Sequence, residues 1–171
     1  MRPALPAAAL LLALASCAPD PEPVPTPAPD VAEAAAADLR GFSDRQIACL
    51  ARTAYHEARG EGRRGMAAVI HVVLNRTEAL AWPDEPCAVV RQGKGGKCQF
   101  SWACDDLPDE PQNLVAYDRA LDLARAAAEG EIADPTDGAV MFHAARVTPY
   151  WTGAAERTAK IGSHVFYRLD E

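Results

Sequence analysis

Basic residues are scarce in this chain: 17 Lys and Arg stand against 24 Asp and Glu, and aromatic residues make up only 6% of 171 positions. No basic stripe with interleaved aromatics can be drawn, which excludes nucleic acid as a partner. No internal repeat is visible. There is no C-x-x-C pair, and the cysteine spacings match no common structural zinc site. His56-Glu57 would open a zincin helix only with a second histidine four positions after His56, and that position is Gly60. His71, His143 and His164 likewise lack a histidine at helical spacing, and His71, inside an apolar run, reads as a core residue. No metal and no cofactor is expected, and a metallopeptidase or a Cys–His peptidase is a poor reading. A long apolar run is also missing: Ala4 to Ala15 is too short for a permanent membrane span.

That short run follows Arg2 and suits a signal h-region, and Leu14-Ala15-Ser16-Cys17 resembles a bacterial lipobox. Residues 1–17 are expected to be a lipoprotein-type signal, with Cys17 as the lipidated N-terminus; an ordinary secretory signal is the alternative. Position 18 is Ala, not the Asp of inner-membrane retention, so the expected location is the periplasmic side of an outer membrane. Residues 18–41 form a linker in which Pro19, Pro21, Pro23, Pro25, Pro27 and Pro29 alternate, giving an extended spacer. Residues 42–171 are enough for one modest core and one domain.

The most informative stretch is Ala54-Tyr55-His56-Glu57-Ala58-Arg59-Gly60-Glu61. Ser43 and Gln46 have capping-box spacing, with Phe42 and Ile47 at the staple positions. Ile47, Leu50, Ala51, Ala54, Tyr55 and Ala58 then keep helical spacing, and Gly60 is expected to be a left-handed residue past the end. Glu57 falls in the last turn, where the helix dipole disfavours a carboxylate by about 0.3–1 kcal/mol. Burial would add to that and keep the carboxyl protonated, ready to serve as a general acid. Read alone, Glu57 is equally an ordinary surface residue of a capped helix.

The stretch Cys49 to Glu61 resembles the motif of the SleB/CwlJ-type cell-wall hydrolase family, typified by the spore-cortex-lytic enzyme. The likeness continues through Gly65 to Arg76 and Gly96 to Trp102. It then covers Asp134 to Ala139 with Phe142-His143-Ala144, and Ile161 to Arg168, in the family's order. The resemblance implies a lysozyme-like α+β fold, a single catalytic domain of several helices with a small antiparallel sheet. It implies a lytic transglycosylase or related hydrolase acting on peptidoglycan glycan strands, with Glu57 as the catalytic acid. His56 departs from the small or aromatic residue usual before that acid. A transglycosylase needs only one carboxyl group, because the sugar's own 6-hydroxyl is the nucleophile; a muramidase-type hydrolase needs a second, for which Glu61 is placed. A non-catalytic peptidoglycan-binding lipoprotein is the third possibility. Asn75, Gln99 and Ser101 are candidates for gripping N-acetyl groups and hydroxyls. By the resemblance Glu61 and His143 line the groove, and the protein acts as a monomer.

Elsewhere, Gly65 to about Ala79 reads as a buried helix, and Pro111 as the opening of another that Gly130 closes. Asp134 to Gly138 is a turn. Ala139 to His143 and His164 to Leu169 read as two strands, with Arg146 to Gly162 an excursion between them. Tyr150 and Trp151 within it either stack on sugar rings or pin the loop. Besides Cys17, four cysteines remain, an even number that in an oxidising compartment predicts two disulfides in one of three connectivities. Cys87–Cys98 with Cys49–Cys104 is the favoured pairing, since it would clamp Gln99 to Ser101 beside the first helix.

Overall fold

A capped amphipathic helix begins the fold. The computed structural model describes residues 41–95, 97–105 and 107–169; the expected signal, lipidation and linker segments lie outside them. In α1 (Asp44–Ala58), the Gln46 side chain accepts from the Ser43 amide at 2.8 Å, as the capping-box spacing predicts. Its buried positions Ile47, Leu50, Ala51, Ala54 and Ala58 form one stripe. A short turn closed by Glu61 N donating to Ala58 O at 2.9 Å leads into α2 (Gly62–Glu78). The positive φ lies at Gly62 (+68°), not at Gly60, because Arg59 keeps a right-handed C-cap and the turn reverses two residues later.

Helix α2 is buried along most of its length and packs against both α1 and α4 (Leu114–Ala128), which also pack on each other, around Leu50, Met66, Ile70, Leu123 and the fully buried Phe100. Asn113, not Pro111, starts α4: its side chain accepts from Ala116 N at 3.0 Å. The short α3 (Pro86–Arg91) lies between α2 and a two-residue ladder, β1 (Gly93–Lys94) with β2 (Lys97–Cys98). A 3₁₀ turn, Ser101–Cys104, follows.

The sheet has three strands where two were expected. Its order is β3 (Met141–Ala144), β5 (His164–Arg168), β4 (Glu156–Ile161), antiparallel throughout. Strand β4 occupies the second half of the expected excursion. As an edge strand with mostly exposed or half-exposed residues, it carries Glu156, Arg157 and Lys160, which blunt the apolar alternation that signals a strand. One sheet face, through Ile161 and Phe166, packs on Ala68 and Val72 of α2.

Two disulfides form, with a different connectivity from the favoured one: Cys49–Cys87 and Cys98–Cys104. The reason is α3, which brings Cys87 within 5.4 Å (Cα–Cα) of Cys49 on α1. Cys98 is left to close a six-residue loop onto the end of the 3₁₀ turn, at 5.8 Å. The segment 99–101 is still clamped, by its own short loop. No helix among the described residues is long and apolar enough to cross a membrane.

Candidate active site

Glu57 stands in the last turn of α1, half-buried, and no described residue hydrogen-bonds or pairs with its carboxyl. Burial pushes its pKa above the ordinary glutamate value. Neither neighbouring arginine answers it: the Arg59 guanidinium lies over the Tyr55 ring, 5.1 Å from the centroid. The two residues before Glu57, Tyr55 and His56, tie neighbouring segments to this end of α1. The Tyr55 hydroxyl accepts from Gln112 N (3.1 Å) and Asn113 N (3.0 Å), holding the start of α4 to the end of α1. His56 stacks on Trp102 with ring centroids 4.7 Å apart and 13° between planes, and its Nε2 donates to Asp109 O at 3.3 Å. The disulfide-closed segment carrying Gln99, Ser101 and Trp102 is thereby drawn to the end of α1 that bears Glu57. Gln99 and Ser101 are both exposed there.

Glu61, the N-cap residue of α2, is turned toward the sheet. Its Oε2 accepts from Ser163 N at 2.9 Å, and its Oε1 from the Ser163 hydroxyl in a short bond. The Ser163 side-chain bond, then the backbone bond, with a smaller contribution from His164, hold its pKa below the usual glutamate value. The two glutamates thus have opposite environments: burial raises the pKa of one, and the Ser163 hydrogen bonds lower that of the other.

Other candidates fall elsewhere. Asn75 lies 14 residues beyond Glu61 on α2, roughly 21 Å along the helix. Its amide donates to Asp134 Oδ2 and to Ala139 O, each at 2.9 Å. His143 projects from the sheet face opposite Phe142 and Phe166; its Nδ1 donates to Ala144 O (2.9 Å) and its Nε2 accepts from the Tyr167 hydroxyl (3.1 Å). Trp151 packs edge-on against His143 and Tyr167, at 5.7 and 5.3 Å. Trp151 therefore pins its loop, while Tyr150 is fully exposed beside it. The structure thus links the segment carrying Gln99 and Ser101 to the end of α1 through Trp102 and His56, ties Glu61 to the β4–β5 turn, and engages Asn75 at the far end of α2.

Reasoning from sequence missed Ser163 and His164. His164 is buried on the helix-facing side of the sheet, edge-on to Phe142 at 5.3 Å, with Nδ1 enclosed and unpartnered. Burial, only partly offset by Glu61, lowers its pKa. The Gly-Ser-His run just ahead of the strand pattern at His164 to Leu169 was the available signal.

The chain thus folds as a small α+β domain that carries, at the end of a capped helix, a half-buried carboxyl with no partner among the described residues. Residues 60–167 match the cell wall hydrolase family, and the chain belongs to that family. Glu57 lies just ahead of the matched span. The chain is 30% identical over 127 residues to the spore cortex-lytic enzyme of Halalkalibacterium halodurans, covering 74% of this chain and 36% of that protein. It is 30% identical over 136 residues to the spore cortex-lytic enzyme of Bacillus subtilis, covering 78% and 41%. The chain thus spans about two fifths of the length of these relatives. Two solved structures share the fold. The catalytic domain of the germination-specific lytic transglycosylase SleB from Bacillus anthracis matches with a TM-score of 0.56 at 26% identity, over 75% of this chain and 98% of that one. The catalytic domain of the Bacillus cereus SleB protein matches with a TM-score of 0.59 at 27% identity, over 75% and 93%.

Proposed function

We propose that this protein cleaves the MurNAc-β-1,4-GlcNAc bond of peptidoglycan as a lytic transglycosylase, with Glu57 as its single general acid and base. The observation that carries this reading is the contrast between the two glutamates: Glu57 has no partner among the described residues and a pKa raised by burial, whereas both oxygens of Glu61 are engaged by Ser163. A second free carboxylate, which hydrolysis by paired acids requires, is not supplied by Glu61. The likeness to a lytic transglycosylase domain and to spore cortex-lytic enzymes supports the same reaction class.

In this mechanism the Glu57 carboxyl gives its proton to the glycosidic oxygen as the C1–O bond of the muramyl residue breaks. The resulting carboxylate takes the proton of that sugar's 6-hydroxyl, whose oxygen closes on C1. The product is a 1,6-anhydro end, and Glu57 is returned protonated. Because the nucleophile belongs to the substrate, its proximity replaces a second side chain. Gln99 and Ser101, exposed beside Glu57, are the proposed contacts to N-acetyl and hydroxyl groups; Tyr150 is a more distant sugar contact. The enzyme works outside the cytoplasm, tethered by a lipidated Cys17 through the Pro-rich linker to the periplasmic face of an outer membrane.

Mass spectrometry of muropeptides released from purified sacculi in ¹⁸O-water tests the reaction. The expected products carry anhydro-muramyl ends without the label; labelled reducing ends would establish hydrolysis instead. Cys17→Ser should shift the full-length protein from the membrane to the soluble or unprocessed fraction, and a soluble wild type would overturn the anchor.

A further inference from the structure

Glu61 sits in a cradle from which side chains have been removed. A Cβ on Gly65 would lie 2.3 Å from Glu61 Cβ, and one on Gly162 would lie 1.8 Å from Glu61 Oε2. Such approaches are impossible without movement of the carboxylate or the backbone. Gly162 also has φ +57°, so the turn that presents Ser163 takes a shape that favours glycine. Two glycines from separate elements, one on α2 and one in the β4–β5 turn, thus leave the room that lets Ser163 grip both carboxylate oxygens.

The location gives this cradle its consequence. Only three residues separate Glu57 from Glu61, and the Glu61 amide is held to Ala58 O, so Glu61 is rigidly tied to the turn of helix bearing the acid. On the other side Ser163 is followed by the buried His164, which stands with Phe142 on the helix-facing side of the sheet. Elsewhere the sheet is held to α2 further along the helix, by apolar packing of Ala68 and Val72 and by hydrogen bonds from Asn75 and Arg76 to Ala139 O and Val140 O.

We propose that Glu61 is a positioning residue: it staples the β4–β5 turn to the junction of α1 and α2 and so sets the sheet wall against Glu57. Glu61 is then neither a second catalytic carboxylate nor a sugar contact. The inference deepens the reading of Glu57 as the single acid and rests on it for its kinetic test.

That test compares Glu61→Gln, Glu61→Ala, Gly162→Ala, Ser163→Ala and the double variant Glu61→Ala/Ser163→Ala in the purified protein. Glutamine reaches the same two Ser163 groups, because a serine hydroxyl can accept as well as donate. Glu61→Gln is therefore expected to keep kcat within about threefold, whereas Glu61→Ala and Gly162→Ala lower it by roughly ten- to a hundredfold with KM little changed, the scale of a misplaced catalytic group. The double variant should be no worse than Glu61→Ala alone, since both changes break one contact. A Glu61→Gln variant as inactive as Glu57→Gln would make Glu61 part of the chemistry, and a raised KM with kcat intact would make it a substrate contact. Either overturns the proposal, as does wild-type kcat in Glu61→Ala. A ¹³C NMR titration of the Glu57 carboxyl supplies a readout independent of turnover. Ser163→Ala keeps the charge of Glu61, so a Glu57 titration midpoint that falls in this variant supports the staple, and an unmoved midpoint overturns it. If the wild type cleaves no peptidoglycan, the functional reading fails while this titration still decides the staple.

Discussion

The two ends of α2 are built on opposite principles. At its C-terminal end the carboxylate of Asp134 is densely satisfied, although the buried Arg76 keeps an enclosed Nη1 without a partner among the described residues. Asp134 accepts from Thr136 N (2.7 Å), Thr136 Oγ1 (2.6 Å), Gly138 N (2.9 Å) and Asn75 Nδ2 (2.9 Å). Arg76, buried beside it, donates to Val140 O at 2.7 Å and lies over the rings of Trp82 and Phe100. At its N-terminal end Glu61 is held by Ser163, but Glu57 is half-buried with no partner among the described residues, and His164 keeps an enclosed nitrogen without one. Unsatisfied polar groups cost stability and persist where something else requires them. Both ends of α2 are tied to the sheet, by Asn75 and Arg76 at one and by Glu61 at the other, and they differ in that Asp134 is gripped by four donors whereas Glu57 has none among the described residues.

The sharpest way to break that comparison is to exchange the consequences. Glu57→Gln removes the transferable proton and should lower peptidoglycan cleavage by about 10²–10⁴-fold, the range typical of general acid–base catalysis, with folding intact. Release of soluble muropeptides from sacculi measures it, and a fully active variant would end the assignment. Asp134→Ala should do the reverse. It leaves several donors short of a partner at about 1–3 kcal/mol for each one left unsatisfied, so the midpoint of denaturant unfolding should fall markedly. Turnover per folded molecule should hold near the wild-type value. Burial alone would raise the pKa of Asp134, but hydrogen bonds from Thr136, Asn75 and Gly138 outweigh it, and the net shift is downward. Its contribution is therefore present above the unfolded-state aspartate pKa and is lost as pH falls through the lower folded value; in Asp134→Ala that part of the acid sensitivity should vanish.

The disulfides refine the same contrast. Cys49–Cys87 spans 38 residues and ties α1 to α3, while Cys98–Cys104 spans 6 and shapes the segment beside Glu57. Loop-closure entropy gives about 4 kcal/mol for the first and roughly 2 kcal/mol for the second. Paired replacement by serine should thus depress the melting temperature more for Cys49/Cys87. The Cys98/Cys104 pair should cost more in activity, because Trp102 then loses its seat on His56. Equal activity losses from the two pairs would break the distinction.

How much of this was legible in sequence follows from which interactions are local. The helix bearing Glu57 was readable because its cap, stripe and end lie within 16 residues, and the Asp134 turn because its hydrogen bonds close within five. The disulfide pairing was not, since it depends on α3, a six-residue helix too short for a periodic signal. Strand β4 was hidden by the charges an edge strand carries. The partner of Glu61 lies 102 residues away, a contact no pattern within either segment encodes. The partners of Asn75 were hidden for the same reason: its amide donates to Asp134 and Ala139, 59 and 64 residues away.

The smallest predicted effect concerns the stability that the unpaired acid takes from the fold. Burial raises the pKa of Glu57 above its value in the unfolded chain. Between those two values the folded state keeps a proton that the unfolded state has released, so stability from this group declines as pH rises through that window. Above it the wild type carries a half-buried carboxylate at a helix C-terminus, itself unfavourable by about 0.3–1 kcal/mol. Glu57→Gln has no such charge. Its melting temperature should coincide with that of the wild type below the unfolded-state glutamate pKa, then exceed it by a few degrees at neutral pH, as expected for about 1 kcal/mol in a domain this size. Calorimetry of both proteins across that range measures the divergence. A glutamine variant that melts lower at neutral pH would mean that the Glu57 carboxylate is held by a favourable partner, and the two ends of α2 would then be built alike.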